Sequence, residues 1–253
     1  MNAMLNQQVG QLGFWSGVIF LLTVVASLLL PLDIPDGLQA EHAERVIWLN
    51  ENRSAFILGW VNQMVSMLSL SGVLLAVAWL AAMKSPLSGI VGGIAILLSI
   101  TAFIIPKFIA IWTIPQLAEA SATGGIGSVF ADQLLLILNV TVPFSLYTSL
   151  DYLGFWLYAL FALVIAGPLF KYALVWKIAA VSLGIFGVAF HSLLIALLMK
   201  KVEAADIEPW FLGSALFLMV TIVAAVLGFR TTARLTEATG NHTGPMMTKI
   251  KNP

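Results

Sequence analysis

Long apolar runs, punctuated by proline, glycine and a few charges, dominate the pattern along this chain. A helix needs about 20 mainly apolar residues to cross the hydrocarbon core of a bilayer. Six stretches meet that requirement: Leu12–Leu32, Ala55–Met83, Gly89–Ile114, Tyr152–Phe170, Val175–Met199 and Trp210–Phe229. Each reads as a helix, because an open strand in lipid would leave its backbone groups unpaired. Pro31 and Pro35, Lys84-Ser85-Pro86, Pro115, Gly167-Pro168 and Pro209 separate them. The pattern predicts an all-α integral membrane protein, a bundle of six transmembrane helices in a single domain over 1–230. A polar, flexible tail over 231–253, with Gly240 and Gly244-Pro245, follows. The two halves differ in loop length and share no motif, which argues against a pair of inverted repeats.

Two connections are too long for simple turns. Asp33–Ser54 has no Gly or Pro between Gln39 and Phe56, so it extends the second span outward as a continuous helix, with Trp48 near the headgroups. Pro115–Asp151 holds a flexible Gly124-Gly125-Ile126-Gly127 segment, then Leu134–Leu138, then the interruptions Asn139, Thr141 and Pro143. Residues 132–150 read as an extra outer-side helical or re-entrant segment, since irregular backbone survives at membrane depth only against protein or a wet cavity. The alternative is a seventh span. It is disfavoured because Leu150-Asp151 leaves little room for a turn before Tyr152, and because Lys171 and Lys177 would then lie outside.

Composition agrees with lipid as the solvent: 60% of the residues are hydrophobic and 9% are charged, against about a quarter charged in a soluble domain. Without cysteine there are no disulfides, thiolate metal sites or cysteine nucleophiles. His42, His191 and His242 are too scattered for a metal site. A net charge of zero gives no sign of nucleic-acid binding. No basic residue precedes Arg45, so the first span lacks the basic flank of a signal peptide and is expected to persist.

Charge also suggests orientation. With the N-terminus inside, Lys84, Lys171, Lys177, Arg230, Arg234, Lys249 and Lys251 are cytoplasmic, and Arg45, Arg53, Lys107, Lys200 and Lys201 are outside. That modest positive-inside bias favours cytoplasmic termini in a bacterial inner membrane. Among the acidic residues only Glu237 is then inside. Tyr147, Tyr152, Trp112 and Trp210 fit an outer aromatic belt, and Trp15, Trp79 and Trp176 an inner one.

Small or weakly polar residues align on single faces: Ser16, Thr23 and Ser27; Asn62, Ser66, Ser69 and Ala76; Ala180, Gly184, Gly187 and His191; Ser214, Thr221, Ala225 and Gly228. Such faces ordinarily meet inside a bundle, where small residues let helices approach. The stronger polar groups are rarer and default to functional candidates. His191, nine residues before Lys200, lies roughly 13 Å from its helix end. By the same arithmetic Asn62, Lys107 and Tyr158 lie roughly 10–12 Å in, with Gln63 and Asp151 close by. Four spans thus place polar groups at one depth in the outer half.

Each group has a plain structural role available. His191 can bond a neighbouring hydroxyl, Lys107 can snorkel to the headgroups, Asp151 can cap a helix, and Asn62 and Gln63 can join helices. Haem between two histidines and a retinal Schiff base lack their residues, and no phosphate-loop, dinucleotide, nucleophile-elbow or zinc-protease motif occurs, so no cofactor is indicated. The first functional expectation is a binding or accessory protein. It would hold a lipid-like or hydrophobic small molecule, or meet another membrane subunit, through Asn62, Gln63, Lys107, Tyr158 and His191. The second is an intramembrane enzyme with His191 as acid or base and Lys107 and Asp151 as its partners. The third is a small-solute transporter, with Pro106 and Pro143 breaking helices.

Overall fold

The computed structural model describes residues 3–35, 37–203 and 206–240. Nine α-helices occur among them: α1 (Ala3–Ser27), α2 (His42–Glu51), α3 (Arg53–Ala82), α4 (Pro86–Phe108), α5 (Ile114–Thr123), α6 (Ile126–Ile137), α7 (Leu146–Leu169), α8 (Leu174–Leu198) and α9 (Ile207–Gly240). Six helices are long and apolar enough to cross a membrane, with α4 and α5 forming one of them as a continuous rod over Pro86–Thr123. The described residues contain no strand.

The expected break at Pro115 is absent. A π-helical turn over Ile109–Thr113 links α4 to α5, widening the helix where Pro115 cannot donate and where its ring would crowd the carbonyl one turn back. The alternative of a seventh span is not met among the described residues. α6 has 12 residues and reaches about 18 Å, short of a hydrocarbon core of about 30 Å. Of the segment expected over 132–150, the first part is the end of α6 and the last part the start of α7. Ser145 caps α7 by accepting from the Thr148 N–H at 3.1 Å. Asp151 is therefore not a cap but a residue of the second turn.

The outward extension of the second span is bent rather than straight. Hydrogen bonds run through the junction, Asn52 N–H to the Trp48 carbonyl and Phe56 N–H to the Asn52 carbonyl, but Asn52 leaves the helical region at φ −107°, ψ 19°. Trp48 consequently packs on Phe56, ring centroids 6.3 Å apart. α9 continues as helix to Gly240, beyond the end expected near Phe229. The rest of the tail, with His242, lies outside the described residues.

The spans form a closed ring in chain order, each packed on the next, and α9 returns to α1. Hairpins α1–α3, α4–α7 and α8–α9 are its units, and α3, α7 and α9 also touch across the centre. Their core contains Val73, Leu74, Ile96, Phe103, Tyr158, Phe161, Phe186 and Ile222, all fully buried. Leu22, Leu97, Val188 and Leu216 instead face outward, as lipid contact requires. The small-residue faces meet as expected. Asn62 Nδ2 donates to the Thr23 carbonyl at 3.0 Å and to Ser27 Oγ at 2.9 Å, and Ser16 lies against Gly72.

Helices α2, α5 and α6 cap one end of the ring over a second apolar cluster that includes Leu49, Phe56, Trp60, Ile114, Leu135 and Tyr147. Arg53 pairs with Glu119 at 2.6 Å, and Asn50 donates to the Ala118 carbonyl at 3.0 Å. Asp132 accepts from Ser121 and from His42. We refer to this as the cap end. Both ends of the described chain lie at the opposite, terminal end, as an even number of spans demands.

Gly154 sets the closest approach of α4 and α7: an added Cβ would meet the buried Phe103 ring at 2.7 Å. Gly154→Ala is expected to lower stability by about 1–3 kcal/mol, read as a lower unfolding temperature in detergent. Gly93→Ala, with nothing within 4 Å of the new Cβ, should not lower that temperature, since alanine is the better helix former. The cap should also respond to acid. Hydrogen bonds from Ser121, and then from His42, hold the Asp132 carboxyl below its ordinary value. A carboxylate lowered in this way stabilises the fold above its unfolded pKa of about 3.9 and loses that contribution as pH falls through the lower folded value. Hydrogen exchange of α6 amides, corrected for intrinsic rate, should show acid-induced opening that Asp132→Asn removes.

Candidate functional site

Antiparallel packing of α4 on α7 builds the site turn by turn. Ser99 Oγ donates to the Gly154 carbonyl at 2.8 Å, fixing the register. One turn along α4, Phe103 covers Gly154 and packs on Phe155 and Tyr158, with centroids 4.9 and 5.2 Å away. A further turn brings Lys107 opposite the start of α7, where it donates to Asp151 Oδ1. The spacings Phe103–Lys107 and Tyr147–Asp151 are both i, i+4, so each pair shares a helix face.

Lys107 does not snorkel. It is 2% exposed, with its Nζ 5.2 Å from the Phe103 centroid, 5.5 Å from Tyr147 and 5.9 Å from Trp60. Three ring faces and one carboxylate replace its water, the combination that makes a buried cation tolerable. Tyr147 therefore belongs to the interior, not to an aromatic belt. It is 2% exposed, lies edge-on to Trp60 at 5.1 Å, and its hydroxyl has no hydrogen-bond partner. Trp176 is likewise buried rather than interfacial, packed on Phe229 at 4.9 Å.

Asp151 keeps 23% of its side chain accessible, against 3% for Lys107. It faces a cavity of about 530 Å³ at the cap end, between the α1–α2 connection, α3, the 138–145 turn, α7 and the start of α9. Apolar walls come from Leu32, Trp60, Phe155 and Phe211, and polar ones from Asp33, Thr141, Thr148 and Asp151. Local chain chemistry shapes the rim. Thr141 donates to Asn139 Oδ1 through both its N–H and its hydroxyl, and Thr148 Oγ1 donates to the Val142 carbonyl at 3.0 Å. Gly37, at φ 48°, turns beside Thr141.

A second buried ion pair closes the rim. Arg45 Nη2 is 2.9 Å from Asp33 Oδ2, with both side chains 6% exposed. Burial pushes the Asp33 carboxyl up and the Arg45 guanidinium down, and each partner's charge opposes the other's shift. The Ile34 N–H and the Thr141 side chain also lie against the Asp33 carboxylate, whose two oxygens are closed off from solvent.

The groups sharing a depth in sequence thus separate laterally. Lys107 and Asp151 come together. Tyr158 is buried deeper and bonds Ser71 Oγ at 2.6 Å. Asn62 and Gln63 both reach Ser27 at the α1–α3 seam. His191 contacts Trp156, at 6.4 Å, and the Gly187 carbonyl of its own helix, 2.7 Å from Nδ1. It forms no hydrogen bond or ion pair with Lys107 or Asp151. Trp60, Thr148 and the Asp33–Arg45 pair escape a sequence reading because their importance depends on which loop folds over which helix. Among the described residues no three His, Asp or Glu side chains gather as metal ligands.

Scans against protein-family models, curated proteins and solved structures return no match to this chain. The geometry stands on its own chemistry. Removing one member of a buried ion pair leaves the other uncompensated, so Lys107→Met is expected to cost up to about 3–5 kcal/mol. The double variant Lys107→Met/Asp151→Leu should recover most of that loss, since a well-packed apolar pair often equals a buried ionic one. Thermal unfolding of the three proteins in one detergent measures both effects.

Proposed function

We propose that this multi-spanning membrane protein is a binding protein that takes a small molecule with an apolar body into the cap-end cavity. The supporting observation is the cavity itself, about 530 Å³ with aromatic walls and a few convergent polar groups, the usual form and size of a small-molecule site. Asp151 is the orienting group that touches the guest. Lys107 acts from behind, holding the carboxylate in place. Asn62, Gln63, Tyr158 and His191 serve helix packing in this reading, since none of them lines the cavity.

A catalytic reading centred on His191 draws less support, because its hydrogen bond stays within α8 while Lys107 and Asp151 engage each other. Transport draws less as well, because Phe155, Phe103 and Tyr158 pack closely beneath the cavity. We further place the terminal end in the cytoplasm and the cap outside a bacterial inner membrane, on the distribution of Lys and Arg. The acidic cap then also suits a basic partner subunit.

Native mass spectrometry of protein purified in mild detergent tests the binding reading. A one-to-one small-molecule adduct is expected, and Leu38→Trp, which fills the mouth from an exposed rim position, should lose it. Adduct-free protein from repeated preparations, with nothing recovered in solvent extracts, would overturn the assignment.

A further inference from the structure

The binding reading says nothing about charge, and the cavity lining does. Two acidic residues line it, Asp33 and Asp151, while no described Lys, Arg or His side chain does. Each carboxylate has a cation, but on the side away from the cavity. Lys107 lies behind Asp151 among Phe103, Tyr147 and Trp60, and Arg45 reaches Asp33 from α2. A guest therefore meets the Asp151 carboxylate, which keeps 23% of its side chain accessible, while both Asp33 oxygens lie closed off behind the wall.

Spare acceptor capacity points the same way. Asp151 uses Oδ1 for Lys107, and among the described residues no donor reaches its Oδ2. Asp33 is 6% exposed and already engaged, by Arg45 at 2.9 Å and by the Ile34 N–H and the Thr141 side chain, so it adds negative charge behind the wall and offers no free acceptor. A buried carboxylate with open lone pairs is costly, and an N–H donor carrying positive charge satisfies it best. The walls suit the same guest. Trp60, Tyr152, Phe155 and Phe211 line the cavity, with Phe211 edge-on to Phe155 at 4.5 Å and to Tyr152 at 5.9 Å. Ring faces attract cations and receive an apolar body equally well. An anionic head would confront the Asp151 carboxylate with the Asp33 charge behind it, and a neutral hydrocarbon would leave Asp151 Oδ2 without a donor.

We infer that the cap-end cavity, if it binds a small molecule as proposed above, selects an organic ammonium: a protonated amine set against Asp151, with the Asp33 charge behind the wall and an aromatic or alkyl body among Trp60, Phe155 and Phe211. The selectivity rests on lone pairs that only a donor can use, and on counterions kept outside the lining.

Three water-soluble probes of one shape test this: 4-phenylbutylamine, 4-phenylbutanol and 4-phenylbutyrate. They are titrated calorimetrically into the full chain in phosphatidylcholine nanodiscs, with empty nanodiscs as the blank. The amine is expected to bind at least about tenfold more tightly than the alcohol, with the carboxylate weakest. Leu38→Trp should abolish the signal, and Asp33→Asn should shrink the preference for the amine. Equal binding of amine and alcohol, or tighter binding of the carboxylate, would overturn ammonium selection and leave the binding reading standing. No heat above the blank with any probe would overturn both. The wild-type comparison decides the question even where Asp33→Asn fails to fold.

Discussion

A lysine removed from water and from lipid needs a carboxylate held rigidly beside it, and Lys107 finds one on the neighbouring helix. The pair fixes more than itself. For Lys107 on α4 to reach Asp151 on α7, the two helices must run antiparallel in one register and approach closely. Gly154 under the Phe103 ring and the Ser99 bond to the Gly154 carbonyl supply that register. The aromatic groups around the ammonium, Phe103, Tyr147 and Trp60, come from three different helices. One buried charge thereby ties α3, α4 and α7 together at the level where the ring of spans gives way to the cap.

That level is also where the bundle stops being close-packed. Below it, large side chains from α3, α4, α7, α8 and α9 fill the core. Above it, α2, α5 and α6 lie across the end and bring loop residues over the spans. A cavity remains where the 138–145 turn and the α1–α2 connection meet the start of α9. Two ion pairs border it, and Asp151 is the carboxylate open to the space. The buried charges thus organise the fold and set the polarity of the cavity at the cap end.

Much of this was legible in the sequence, and the failures are instructive. The depth of Lys107 and the proximity of Asp151 followed from counting residues along helices. Counting could not show that His191 and Asn62, at similar depth, face other seams. Asp151 read as a cap because the apolar run begins at Tyr152, yet Ser145 starts the helix earlier and turns Tyr147 and Asp151 onto one face. Pro115 read as a stop, but a π-helical turn absorbs it. Snorkelling was expected of Lys107 from its length alone, whereas three rings and a carboxylate made burial the better solution.

The sequence by itself determined the solvent, the number of spans and the small-residue faces. Those depend on hydropathy and on periodicity, which are properties of short stretches of chain. Only the tertiary structure decided the ring order, the partner of each buried charge and the existence of the cavity. These depend on side chains far apart in sequence: Arg45 with Asp33 across a folded loop, Lys107 with Asp151 across two helices, and Trp60 with Tyr147 beneath the cap. A charge in the chain announces that it needs a partner, and packing chooses which one.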